Sequence, residues 1–291
     1  MGLVYSDKGD IRKTIEHYEQ ALAIAREIGD KTNEGLWLSN LAGQYSNLSE
    51  REKSVDYYEQ ALANAREIGN KYGESKRLNG LAGVFIEKNE FGKAINHSKE
   101  AFSIGEEMSS PEVCIECSYT LAQALLFSEK LSDAQQVAFT AKEYNRPTHN
   151  SQISTLHGII LLRQNEHQKA KAAFQKAIAQ ADEILAKTPG YYRALDAKGL
   201  ALAGLVLTGN LTGLNEDTLN PDDIHENQHG LKEAQGDLSG FIAESIKTFK
   251  RAREIAPHAG VIKANLRLFD ELAKCDDEGL LVNIREAVEG K

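Results

Sequence analysis

The sequence predicts an all-α protein, a right-handed α-solenoid of stacked antiparallel helix pairs closed by a C-terminal helical cap. Three observations predict it. Long stretches repeat with a displacement of 40 residues, apolar residues recur at helical spacing inside the repeats, and prolines are scarce, five in 291 residues. Ala, Glu, Lys, Leu and Gln, which favour helix, abound.

The repeat is explicit. "HYEQALAIAREIGDK" begins at His17 and "YYEQALANAREIGNK" at Tyr57. The same displacement carries Leu41-Ala42-Gly43 onto Leu81-Ala82-Gly83 and Tyr45 onto Phe85, then Ala94 onto Ala134 and Ala101 onto Ala141. Later segments keep the internal spacing: Ala170, Phe174 and Ala177, then Ser245, Phe249, Ala252 and Pro257. Each unit holds two apolar stripes split by a polar turn. Leu38, Leu41, Ala42 and Tyr45 form one stripe, Tyr58, Ala61, Leu62 and Ala65 the other, and "NLSE" separates them. Ala42, Ala82, Ala122, Gly158 and Gly199 stand where a larger side chain would hold paired helices apart. Ser54, Ala94, Ala134 and Ala170 do the same on the second helices.

This periodicity places helices at 9–29, 32–47, 50–69, 71–88, 90–109, 111–128, 130–143, 149–164, 166–187, 189–207, 240–256, 258–275 and 277–289. The solenoid spans 1–257. A polar insertion, 208–240, interrupts its last pair and reads as a loop. Residues 258–291 abandon the repeat pattern and form a capping helix pair, which covers an apolar face the last repeat would otherwise expose.

The order large residue, Leu, Gly or Ala, aromatic, then a small residue, aromatic, Ala is met by Leu38, Leu41, Ala42, Tyr45, Ser54, Tyr58 and Ala61. This pattern resembles the tetratricopeptide repeat family over roughly 1–257, with Pro257 at the family's closing proline. Earlier units lack that proline and run on into "AREIGD" and "AREIGN", which lengthens the second helix and gives the 40-residue period. The resemblance implies a concave wall of first helices that binds peptides, helices or protein surfaces. By the family's register the groove positions include Ser39, Asn47, Lys76, Asn79, Glu87, Glu116, Tyr119, Gln123, Gln152, Thr155, Arg163, Arg193 and Asp196. Family members that grip a carboxylate terminus use Lys and Asn at set groove positions. Ser39, Gly43, Asn79, Gly83, Tyr119 and Gln123 do not reproduce that clamp.

The long repeats, "YYRALDAKGLALAGL" and the closing "ANLRLFDELAKCDDEGLLVNIREAVEGK" are similar to the C-terminal part of bacterial STAND-type signalling ATPases, the NB-ARC/NACHT-like class. In that class a nucleotide-binding domain precedes repeats that receive the trigger. The likeness implies a ligand-sensing or regulatory module joined to such a domain. Met1 to Tyr5 align with Leu41 to Tyr45, so the expectation is a chain that starts inside a first helix, as a piece of a longer protein would. The alternative is a free-standing scaffold or adaptor that assembles protein partners.

Charge and motifs narrow the remaining classes. A net charge of −9 argues against nucleic acid and anionic membranes as partners. The longest apolar stretch, "GLALAGLVL" from Gly199, is too short to span a bilayer, and no apolar signal core opens the chain. Three cysteines, an odd number, point to a reducing cytoplasm. Cys114 and Cys117 form a C-x-x-C without a second pair and read as small core residues. No phosphate-binding G-x-x-x-x-G-K-[ST] loop is present. "HENQH", residues 225–229, matches the zinc-hydrolase signature H-E-x-x-H, in which two histidines one turn apart hold the metal beside a general base. Here Asn220-Pro221 precede it, Gly230 follows at once, and Asn227 and Gln228 are polar where a buried helix would be apolar. The expectation is therefore a solvated loop, no catalysis, no cofactor and no metal. A hydrolase using His225, Glu226 and His229 is the remote alternative. His17 and His97 read as ordinary surface residues.

Overall fold

The computed structural model describes residues 11–209, 224–257 and 259–290, with 209, 224–237 and 259 described as backbone alone. Among the described residues there is no strand. Among the described residues thirteen α-helices follow one another: α1 (Ile11–Glu27), α2 (Lys31–Asn47), α3 (Arg51–Glu67), α4 (Lys71–Glu87), α5 (Phe91–Glu107), α6 (Pro111–Phe127), α7 (Leu131–Ala141), α8 (Pro147–Arg163), α9 (His167–Lys187), α10 (Tyr192–Gly209), α11 (Ile224–Ile255), α12 (Ala259–Ala273) and α13 (Val282–Glu289). A short 3₁₀ turn, Lys142–Tyr144, follows α7.

The first six helices each have 17 residues, and they begin at 11, 31, 51, 71, 91 and 111. Turn chemistry sets this rhythm. Gly29, Gly69 and Ser109 adopt φ of 69°, 67° and 51°, and Ser49, Asn89 and Glu129 adopt 63°, 60° and 60°. Each left-handed residue stops one helix and reverses the chain. Asp30, Asn70 and Ser110 then cap the next first helix, accepting from the backbone N–H of Asn33, Gly73 and Val113. Glu50, Glu90 and Lys130, which open the second helices, make no such side-chain cap.

Packing follows the small residues. Ala94, Ala134 and Ala170 are fully buried. The Ser54 hydroxyl donates to the Ala42 carbonyl at 2.8 Å, and Ser245 repeats the contact on Gly199 at 2.9 Å. A methyl on Gly158 would lie 2.5 Å from the buried Phe174 ring. Side-chain contacts obey the same 40-residue displacement. Arg26 bridges Glu34 and Gln60, and Arg66 bridges Glu74 and Glu100. Tyr45 stacks on Tyr57 beneath Lys53, and Phe85 stacks on His97 beneath Lys93. His97 is thus half-buried in a stack, not the plain surface residue that its helical position suggests.

The chain divides into two compact units, Met1–Arg146 with His258–Val261, and Pro147–Pro257 with Ile262–Lys291. In unit 1, α1 to α7 pack consecutively, and α4 also lies beside α2 and α6. In unit 2, α8 packs on α9 and α10, α10 on α9 and α11, and α13 on α11. The architecture is a repeat solenoid of consecutive helix pairs, as the periodicity implies.

Two boundaries differ from the sequence reading. Where a loop was expected through residue 240, α11 starts at Ile224, so the backbone of 225–229 is helical and the HENQH segment is not a loop. Ala, Glu, Gln, Lys and Leu dominate 231–236, and a glycine in a helix costs only about 1 kcal/mol, which the packed C-terminal half of α11 outweighs. The rest of the insertion, 210–223, lies outside the described residues. The last helix begins at Val282 rather than 277, because Asp276 accepts the N–H groups of Leu280 and Leu281 and Gly279 turns at φ 73°.

Candidate binding surface

In unit 1 the first helices α2, α4 and α6 lie side by side, and their shared face is laced by bonds that span 40 to 42 residues. Tyr72 Oη donates to Glu112 Oε1 at 3.4 Å and Lys76 Nζ to Glu116 Oε2 at 2.5 Å. Ser46 Oγ donates to Glu87 Oε1 at 3.0 Å, and Arg77 Nη2 donates to the Gly35 carbonyl at 3.1 Å. Burial alone would lower the Lys76 pKa, but the Glu116 carboxylate beside it raises it above the ordinary lysine value.

Small residues shape the floor. A methyl on Gly80 would meet the Tyr58 ring at 2.6 Å, one on Gly43 would reach only its hydroxyl at 3.9 Å, and one on Gly83 would meet nothing within 4 Å. Burial pushes the Tyr58 phenol up to about 12, so it stays protonated. Asn79 Oδ1 is buried and accepts no hydrogen bond from the described residues, and Gln44 Oε1 is in the same state.

The expected groove residues therefore divide. Lys76, Asn79, Glu87, Glu116, Tyr119 and Gln123 are half-buried on α4 and α6, with Lys76 and Glu116 joined to each other. Sequence reasoning missed Leu36 and Tyr72, apolar side chains 43% and 44% exposed on α2 and α4. Leu36 occupies the register position of Lys76 and Glu116, the signal that could have found it.

Unit 2 differs. Gln152 is half-buried on α8, and the exposed Arg193 lies over its neighbour Tyr192, 5.9 Å from the ring centre. Thr155 is not open to a partner: it is buried and donates to the carbonyls of Ser151 and Ala197, at 2.8 and 3.1 Å. Asp196 is also buried, accepting from Arg253 and from Asn265 Nδ2. Arg163 is paired with Glu271. These three serve internal contacts because elements later in the chain fold onto their positions. Burial lowers the Arg253 guanidinium to about 10, still charged opposite Asp196.

Other features were weighed by the same geometry. A cavity of about 440 Å³ opens where Tyr45 and Tyr57 stack, but its cations are engaged, Arg26 by Glu34 and Gln60, Lys53 by Glu50. Cys114 and Cys117 are buried, and burial raises both thiols, Cys117 to about 12. Among the described residues no three His, Cys, Asp or Glu are grouped to hold a metal, and no helix is long and apolar enough to cross a membrane.

Fold and face together define a helical-repeat solenoid with a shared first-helix face. The tetratricopeptide repeat family model matches residues 1–67 and 32–107. No curated protein sequence matches the chain. Among solved structures, the apo form of RapI is similar at 15% identity with a TM-score of 0.64, covering 100% of this chain and 97% of that one. Aspartyl phosphate phosphatase F from Bacillus subtilis follows at 16% identity and TM-score 0.61, over 96% of this chain and 69% of that one. A Rap protein complexed with competence and sporulation factor has 16% identity and TM-score 0.58, over 94% and 74%. At these identities the likeness establishes the fold.

Proposed function

We propose that the chain is a non-catalytic repeat module that binds a peptide or protein surface along the first helices α2, α4 and α6. One observation carries this reading. The exposed Leu36 and Tyr72 stand beside Lys76, Asn79, Tyr119 and Gln123 on helices whose backbone is fixed by the repeat packing. Apolar and aromatic side chains on rigid elements bind at little ordering cost, and Asn79 Oδ1 is an acceptor that no described residue uses. A fold neighbour solved with competence and sporulation factor supports such a use of this architecture.

The finer reading is that the module senses a ligand for, or regulates, a larger signalling ATPase whose nucleotide-binding domain precedes it. The likeness of "YYRALDAKGLALAGL" and the C-terminal segment to that class supports it. An upstream reading frame without such a domain would favour the scaffold alternative. The binding reading itself is tested by selecting ligands from a displayed peptide library against the whole chain. Asn79→Ala and Tyr119→Ala should each weaken the selected peptides by about 1 kcal/mol or more, roughly fivefold, as hot spots do. Unchanged affinity in both variants would place the binding surface elsewhere.

A further inference from the structure

Part of the first-helix face of unit 2 is covered by a later segment of the chain. Arg163 and Asp196 occupy register positions that a solenoid presents to partners, yet their side chains are only 13% and 7% exposed. What covers them is α12. Glu271 takes Arg163 at the end of α8, and Asn265 Nδ2 donates to Asp196 Oδ2 on α10 at 2.9 Å. Leu268, Phe269 and Leu272 are buried between these anchors. At 100° per residue, Asn265, Leu268, Phe269, Glu271 and Leu272 share a face about 160° wide, the stripe of an amphipathic helix.

This is not how the first helix of a further pair would sit. A regular first helix lies close against the preceding second helix, as α4 does on α3 and α10 on α9. Among the described residues the backbone of α12 runs closely along no other helix of unit 2, and Glu271 passes over α10 to reach α8, two first helices away. On α8 and α10 side chains seat it, with a cation on the seat facing a carboxylate on the helix and a carboxylate facing a carboxamide donor. Such charge matching fixes register and rejects a helix with the wrong signs.

We propose that α12 is a built-in helical ligand, exchangeable for an amphipathic helix of another protein that carries a carboxylate and a carboxamide at the spacing of Glu271 and Asn265. The seat then recognises a helix by its side chains, and the chain's own segment holds it closed until a competitor arrives. Tethering gives α12 an effective concentration near the millimolar range, so a free competitor acts at about that concentration. This inference is independent of the surface proposed on unit 1 and uses no ligand of that surface.

Amide hydrogen exchange on the whole chain tests it, with a peptide of residues 260–276 carrying Cys275→Ser as the competitor. In the wild type, α12 amides should exchange at least tenfold faster than those of α8 and α10. Millimolar peptide should speed α12 exchange further while leaving α8 and α10 protected. Glu271→Arg should release α12 in the same way without peptide, and adding Arg163→Glu should restore its protection. The proposal is overturned if α12 and α10 exchange together in the wild type, or if millimolar peptide leaves α12 exchange unchanged. Should Glu271→Arg fail to fold, the wild-type measurements alone decide.

Discussion

Gly158 and Gly83 both lie inside first helices, and one added methyl should affect them in opposite directions. At Gly158 it would press on Phe174, which is fully buried and has nowhere to move. Gly158→Ala is therefore expected to cost about 1–3 kcal/mol. At Gly83 the space is open, so Gly83→Ala should gain about 0.5–1 kcal/mol from helix propensity. Denaturant unfolding of the two variants checks both signs. His97 supports a prediction about pH. Burial holds its imidazole below the ordinary value of 6.5, and the attraction of Glu100 and Glu59 does not make up the difference. The folded state thus resists the proton. Its contribution to stability is complete above about pH 6.5 and is lost as pH falls from there. His97→Phe should keep the stack on Phe85 and lose less stability between pH 7 and pH 5 than the wild type. Equal losses would show that the imidazole does not titrate in this window. Neither residue was fully legible beforehand. The small residue at 158 announced itself by register, whereas the stack at His97 depends on a ring on the neighbouring helix.

The helices differ in how they begin, and their caps should differ in energetic weight. Asn70→Ala removes an acceptor for the Gly73 N–H and is expected to cost about 1 kcal/mol. Lys130 makes no capping bond, so Lys130→Ala should change stability by less than about 0.5 kcal/mol. Thermal melts of the two variants compare them directly. Registers and boundaries of α2 to α6 were readable because every turn recurs after 40 residues, with a left-handed residue at the same position each time. The starts of α11 and α13 were not. Polar residues and glycines in 224–240 look like a loop until a packed helix extends through them, and the Asp276 turn shortens the last helix. The register placed Lys76, Asn79, Glu87, Glu116, Tyr119 and Gln123 half-buried on α4 and α6, as observed, but it failed at Thr155, Arg163 and Asp196, which are engaged in internal contacts. Register states which way a side chain points from its own pair, but not that an element about 40 to 110 residues later will fold onto it. Leu36 and Tyr72 were missed for the opposite reason, since an apolar side chain in a helix is read first as core.

At the scale of the molecule, unit 1 is built from interchangeable parts. The contacts of Arg26 recur at Arg66, the cap of Asp30 recurs at Asn70, and the turn of Ser49 recurs at Asn89. Each joint is local, so its energy depends on its immediate neighbours and little on the distance to either end. A second copy of residues 51–90 inserted after Glu90 would meet a turn of the native kind at both junctions, with a ring stack and an arginine bridge on each side. The lengthened chain is expected to keep its helicity per residue and to melt no lower than the original, by circular dichroism. A collapse in either would show that the joints are less alike than their contacts. Where the joints are alike, an unequal crossover between sister genes can lengthen or shorten the protein by whole cassettes without breaking it. The length of its first-helix face then becomes a heritable quantity that changes by copy number before any single residue has to change.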